Sequence, residues 1–126
     1  MSQRGFVLDA GAFLAVERGS RKMGEYSDAF RDHDIPLATS AGVVAQVWRG
    51  GVQRQVPVAF LLRRTDVVDL TDAQARIVGK VLGVSRTSDP VDAHVALIAR
   101  TRDWPVLTSD AGDLRAIDRT LELYDI

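Results

Sequence analysis

The chain has 126 residues, 46% hydrophobic and 26% charged, an ordinary globular composition that excludes a disordered segment and is long enough to bury about two thirds of its unfolded surface. It contains no cysteine, which excludes disulfides, thiolate-held zinc and cysteine nucleophiles and leaves oxygen atoms and two histidines to bind any metal. The net charge of -1 excludes the global basic field of many nucleic-acid binders without excluding a nucleic-acid substrate.

No apolar run approaches the roughly 20 residues needed to span a bilayer, and the first residues lead at once into a strand-like run, so a soluble cytoplasmic protein without signal peptide or membrane partner is expected. Within each sign the charges are skewed. Fourteen of the 16 basic residues are Arg and 14 of the 17 acids are Asp, types suited to phosphate contacts and hard-metal ligation, although a GC-rich genome produces the same Arg bias.

Taken in chain order, GFVLD (5 to 9) reads as a strand ending on Asp9, followed by a helix that stops near Gly19. A polar helix is predicted from Met23 to His33. PLATS (36 to 40) is a second strand whose Thr39 and Ser40 are good caps for the helix of GVVAQVWRG. Another helix follows, with Pro57 in its first turn. TDVVDL (65 to 70) is a third strand, and Thr71 and Asp72 cap a helix through about Leu82. SDPVDAHVALIARTRD carries the strongest helix start, with Asp89 as N-cap, Pro90 first and Asp92 in the first turn. WPVLTSD is a buried-type strand, AGDLRAID a short helix, and LELYDI a last strand.

Strands alternating with helices predict a single α/β domain over residues 1 to 126, a three-layer α/β/α arrangement on a mainly parallel sheet. Ligands in such folds collect beyond the carboxyl ends of the strands. Two of those ends carry Asp9 and Asp110, and a third carries Thr39 and Ser40.

Asp9, Asp92 and Asp110, with Asp89 and Asp113 nearby, are therefore expected at one edge of the sheet. Clustered carboxylates repel and raise one another's pKa unless a cation neutralises them, and a hard divalent ion does so best. Mg²⁺ or Mn²⁺ on carboxylates and waters suits phosphodiester hydrolysis, with one ion or a pair. Structural roles compete: Asp89 is an N-cap by position, Asp92 and Asp113 suit the positive end of a helix dipole, and Asp110 is a further possible cap. Asp9, directly after Phe-Val-Leu, gains little structurally and is the strongest functional candidate. His94, about 200° round the helix from Asp92, is expected to be structural, and His33 a surface residue. No Ser or Thr has a histidine spaced for a triad.

The ordered set VLDAGAF, VVAQVWRGG, DPVDAHVALIAR and VLTSDAGDL resembles the PIN domain, and more narrowly the VapC-like toxins of bacterial type II toxin-antitoxin systems. The resemblance spans nearly the whole chain. It implies a PIN-like fold and a Mg²⁺- or Mn²⁺-dependent endoribonuclease acting on tRNA or rRNA, dimeric, and inhibited by a cognate antitoxin that wraps over the site. Matched to the family, Asp9 is the first carboxylate, Asp92 the third and Asp110 the fourth, with Asp113 in the accessory position and Thr108 and Ser109 orienting them; Asp9 and Asp92 are expected to ligate metal directly. Gln46 stands where relatives carry a Glu. A neutral amide adds no anion and is no general base, so the site should hold a cation, especially a second one, more weakly unless Asp89, one turn before Asp92, supplies the charge.

RNA contacts are sought among Arg18, Arg21, Lys22, Arg49, Arg54, Arg63 and Arg64, some of which would instead meet antitoxin acids; a solvated face is the plain alternative. VAFLL (58 to 62) and Trp48 read as core or dimer contact. An alternative function is a catalytically weakened PIN-like module that binds RNA or a partner. A receiver domain is disfavoured because Asp9 is followed by Ala-Gly-Ala, and a haloacid-dehalogenase-like phosphatase because position 11 is Gly11.

Overall fold

The structure, a computed structural model, describes residues 4 to 126. Five strands, Phe6–Leu8 (β1), Leu37–Ser40 (β2), Thr65–Val68 (β3), Val106–Thr108 (β4) and Leu123–Asp125 (β5), are joined by helices at Ala10–Glu17 (α1), Arg21–Asp32 (α2), Ala41–Val47 (α3), Val56–Arg63 (α4), Asp72–Ser85 (α5), Pro90–Arg102 (α6) and Ala111–Ile117 (α7). The sheet has the order β3-β2-β1-β4-β5 and every pairing in it is parallel. Because each connection contains a helix, none can return antiparallel by a tight turn, and the predicted mainly parallel sheet is wholly so.

The chain steps from β1 outward to β2 and β3, then crosses back to β4 on the other side of β1. With right-handed crossovers this puts α1 to α4 on one face and α5 to α7 on the other. The packing agrees: α1 touches α2, α3 and α4, while α5, α6 and α7 touch one another. The three-layer α/β/α architecture follows directly from that alternation.

The centre of the sheet is apolar on both sides, as buried parallel strands require: Val7, Leu8, Val106 and Leu107 are wholly buried. Phe13, Met23, Phe30 and Leu61 fill the space beneath one face. On the other, Val95, Ile98 and Ala99 of α6 join the same core, with α6 packed on β1, β2 and β4. No helix among the described residues is long and apolar enough to cross a membrane.

Helix ends follow local chemistry. Ser20 accepts from the Met23 amide at 3.2 Å, Thr71 from Gln74 at 3.2 Å, and Asp89 Oδ1 from Val91 and Asp92 at 2.9 and 3.1 Å, each satisfying an amide that the helix leaves without a partner. Pro57 lies in the first turn of α4 as predicted. Two helix ends differ from expectation by three residues, while α2 starts two residues early, at Arg21. The predicted helix through Gly50 stops at Val47, because the buried amide of Gln55 takes over its end: Nε2 donates to Val47 O at 3.0 Å and Oε1 accepts from Arg49 N at 2.7 Å. Helix α5 runs past Leu82 to Ser85 and ends on Arg86 in the left-handed region at φ 58°.

His94 is wholly buried, with Nδ1 2.7 Å from Ser40 Oγ, so it ties α6 to the end of β2 as a structural residue. Burial lowers its pKa. His33 is exposed.

Candidate functional site

In the order β3-β2-β1-β4-β5 the connections change direction between β1 and β4, and the crevice beyond their carboxyl ends is where a sheet of this kind collects ligands. Leu8 is in register with Leu107, and the Asp9 amide donates to Leu107 O at 3.3 Å, which sets Asp9 beside Thr108. The Thr108 hydroxyl donates to Asp9 Oδ2 in a short hydrogen bond, and Asp9 Oδ1 accepts from the Ala12 amide at 3.2 Å. Asp9 is therefore the N-cap of α1, correcting the expectation that its carboxylate gains little structurally. It is 6% exposed. Burial raises its pKa, the bonds from Thr108, Ala12 and Gly11 pull it back down, and the charge of Asp110 pushes it up again.

Behind Asp9, the Thr39 hydroxyl donates to Leu8 O at 2.6 Å and holds the end of β1 against β2. Gly11 makes the close approach on the other side: a Cβ there would lie 1.9 Å from Ser109 Oγ and 2.8 Å from Ser109 Cβ. Only hydrogen fits between α1 and the end of β4. Gly11 was not among the sequence-derived site residues; its place in a strand-to-helix turn, where backbones often crowd, was the available signal.

Asp92, in the first turn of α6, is half-buried, and its carboxyl is pushed up to about 6 by burial and then by the charges of Asp89, Asp113, Asp9 and Asp110. The charges of the other four predicted aspartates therefore all act on Asp92. Asp110 occupies the N-cap position of α7 without a side-chain cap bond, while its backbone amide donates to Thr108 Oγ1 at 2.8 Å. The neighbouring Asp110 carboxyl raises the pKa of Asp113, by hydrogen bonding and by charge. Asp89 caps α6 through Oδ1 alone, leaving Oδ2 available while its charge acts on Asp92. Among the described residues no Lys, Arg or His forms an ion pair with any of the five.

Gln46 is exposed on α3, and among the described residues its side-chain amide makes no hydrogen bond. Its helix nevertheless meets α6: a Cβ on Gly42 would lie 2.8 Å from Val91 Cγ2. Four residues later, Gln46 shares that face of α3, one turn along from the helix carrying Asp89 and Asp92.

The donor set fits a hard divalent cation. Among the described residues no group of three or more His, Cys, Asp or Glu side chains is arranged to hold a metal ion; Mg²⁺ takes only one or two carboxylates and keeps several waters.

Metal-free, the cluster has a testable pH signature. Folded Asp92 keeps its proton to about pH 6 against 3.8 ordinarily, so the folded chain binds more protons between these values and stability falls as pH rises through the window. His94 acts oppositely, its lowered pKa removing stability as pH falls. Comparing Asp92→Asn with wild type in EDTA cancels the His94 contribution. The melting temperature of the variant should match wild type near pH 4 and exceed it by a few degrees above pH 6, with Mg²⁺ narrowing the gap; a difference independent of pH would show that Asp92 is not strained by its neighbours.

A family model for the PIN domain matches residues 6–120. No curated protein matches the chain. Among solved structures, the VapBC2 complex of Rickettsia felis, bound to a DNA fragment from its promoter, is similar at 15% identity with a TM-score of 0.72, covering 96% of this chain and 98% of that one. DNA-bound VapBC of Salmonella typhimurium gives 18% identity and a TM-score of 0.69, covering 98% of both chains. FitAcB of Neisseria gonorrhoeae gives 16% and 0.64, covering 94% of this chain and 96% of that one. At such identities the likeness is one of fold.

Proposed function

The chain belongs to the PIN domain family, and on that premise we propose that it is a Mg²⁺- or Mn²⁺-dependent endoribonuclease, a cytoplasmic toxin of a single PIN-like domain that cleaves structured RNA such as tRNA or rRNA and is neutralised by a cognate antitoxin. The observation that carries this reading is geometric: Thr108 hydrogen-bonds both the buried Asp9 carboxylate and the Asp110 amide at the carboxyl ends of the central strands, the charges of both act on Asp92, and among the described residues no basic side chain is paired to any of the five aspartates. An uncompensated acidic cluster at a ligand-binding crevice costs stability and is explained by a cation that joins it.

Asp9 and Asp92 would hold the ion directly, Asp110 beside them, with Asp89 and Asp113 adding negative charge. When bound, it supplies Lewis-acid stabilisation of the charge that develops on the phosphodiester oxygens. Thr108 fixes Asp9 by donating its hydroxyl proton and fixes Asp110 by accepting from its amide. Gln46 orients water or RNA through its amide and moves no proton at neutral pH.

Partner surfaces are supported on the α1 to α4 face. Val58 and Leu61 are core, but Val56 and Phe60, one turn apart on α4, form an exposed stripe, with Val52, Leu14 and Trp48 also exposed and the Arg63 guanidinium 5.3 Å from the Phe60 ring centre. Arg18, Arg21, Lys22, Arg49, Arg54, Arg63 and Arg64 form no ion pair among the described residues and are available to RNA phosphates or antitoxin acids. The two-component VapBC assemblies of similar fold support an antitoxin partner, and the exposed stripe would serve it or a homodimer.

The direct test is cleavage of total tRNA and of ribosomes by purified protein with Mg²⁺ or Mn²⁺, and its suppression by EDTA. Exposed, neutral Gln46 favours a second reading, a catalytically weakened module that binds RNA or a partner, and RNA binding without cleavage would establish it. Gln46→Glu restores the anion relatives carry, so metal affinity and cleavage rate should both rise on the order of tenfold; slower cleavage with tighter metal binding would show instead that the amide positions RNA.

A further inference from the structure

On the face of the sheet opposite α1 to α4, the helices α5 and α7 flank an open groove of about 560 Å³ floored by Ala96 and Leu97 of α6. Its α5 wall carries Ile77, Val81 and Val84, spaced four and three residues apart, the spacing of a helix seam that packs on another helix. Val84 is 88% exposed and Ile77 43%. These are large apolar side chains in water on a helix whose other face is already packed against α6 and α7.

The rim is basic. Lys80, Arg115 and Arg119 line the groove and form no ion pair among the described residues, whereas Arg100 is engaged by Asp118 at 2.9 Å. In a chain of net charge -1, this is a local excess of three unpaired cations around an apolar floor.

We infer that this groove receives an amphipathic helix of a second protein, with an apolar seam flanked by Asp or Glu. The apolar seam calls for an apolar face, the three cations for acidic flanks. A second copy of this chain fits poorly, since a two-fold contact sets the same patch against itself and would bring Lys80, Arg115 and Arg119 towards their own counterparts. RNA would satisfy the cations but leave Ile77 and Val84 in water. The groove begins one turn beyond Asp92 on α6 and takes in the end of α7, and none of the five aspartates lines it, so the binding test does not require the nuclease reading.

The probe is a fluorescein-labelled synthetic helix of roughly 18 residues with a Leu seam and Glu flanks, paired with a twin carrying Lys flanks. The Glu peptide should bind the full chain saturably and weaken with salt, and the Lys twin should bind at least about tenfold more weakly. Val84→Asp, and separately Lys80→Glu with Arg115→Glu, should each reduce binding by about tenfold or more, with unchanged melting because these side chains are exposed. Equal binding of the two peptides, or full binding by Val84→Asp, overturns the proposal. Sedimentation velocity showing a dimer that Val84→Asp dissociates would also overturn it, assigning the groove to a second copy.

Discussion

Asp9→Asn is expected to reduce cation-dependent RNA cleavage by at least about a hundredfold while leaving the chain folded and close to wild type in stability. The two effects separate because Asp9 holds two jobs. As a cap it accepts from the Ala12 amide at 3.2 Å, and Asn caps a helix about as well as Asp. As a 6% exposed carboxylate it bears the cost of burying charge, which the amide removes, although with one oxygen instead of two the amide must turn its NH₂ towards Thr108. That partial loss and the gained neutrality are of similar size. What the amide cannot do is neutralise a cation. Thermal melting in EDTA and single-turnover cleavage with Mg²⁺ measure the two roles. Retention of more than about a tenth of the rate would place the chemistry elsewhere, and collapse of the fold would mean that the bond to Thr108 is needed mainly for stability.

Gly11→Ala should lose both stability and activity, chiefly through Ser109, with Asp9 Oδ1 a further 3.1 Å contact of the added Cβ. The added Cβ would sit 1.9 Å from Ser109 Oγ and 2.8 Å from Ser109 Cβ. The hydroxyl can rotate away, but the Cβ moves only with the backbone, so α1 and the end of β4 must part. Overpacking of this kind costs about 1 to 3 kcal/mol, measurable by urea titration. Ser109 lies between Thr108 and Asp110, so the same displacement draws Asp110 away from Asp9 and should weaken metal binding and cleavage about tenfold. Ser109→Gly removes the two nearest atoms and leaves the milder 3.1 Å contact with Asp9 Oδ1, so in the Gly11→Ala background it should restore most of the stability and metal affinity. A double variant no better than Gly11→Ala alone would show that the harm comes from the turn itself and not from Ser109.

Much of this protein was legible in the order of its residues. Short apolar runs closed by Asp9, by Thr39 and Ser40, and by Thr108 to Asp110 marked strands, and Ser40, Thr71 and Asp89 marked helix starts, because periodicity and capping act over a few residues. Alternation of the two elements was enough to require a parallel sheet. The five aspartates could be named for the same reason: each stands at a strand end or in a first helical turn.

What the sequence could not supply depended on contacts between distant parts of the chain. Gln55, eight residues beyond Val47, decides where α3 stops, since a buried amide takes up the carbonyl and amide that another turn would have used. The order β3-β2-β1-β4-β5 puts Asp9 against Thr108 across a separation of 99 residues, whereas the cap that Asp9 makes on α1, accepting from Ala12, is local. Asp92 acquires its charged surroundings only when α6, α7 and β1 converge. Local propensity fixes the elements because its causes lie within a turn or a strand; pKa, close approach and groove shape are properties of neighbours in space, and only the packed sheet determines who those neighbours are.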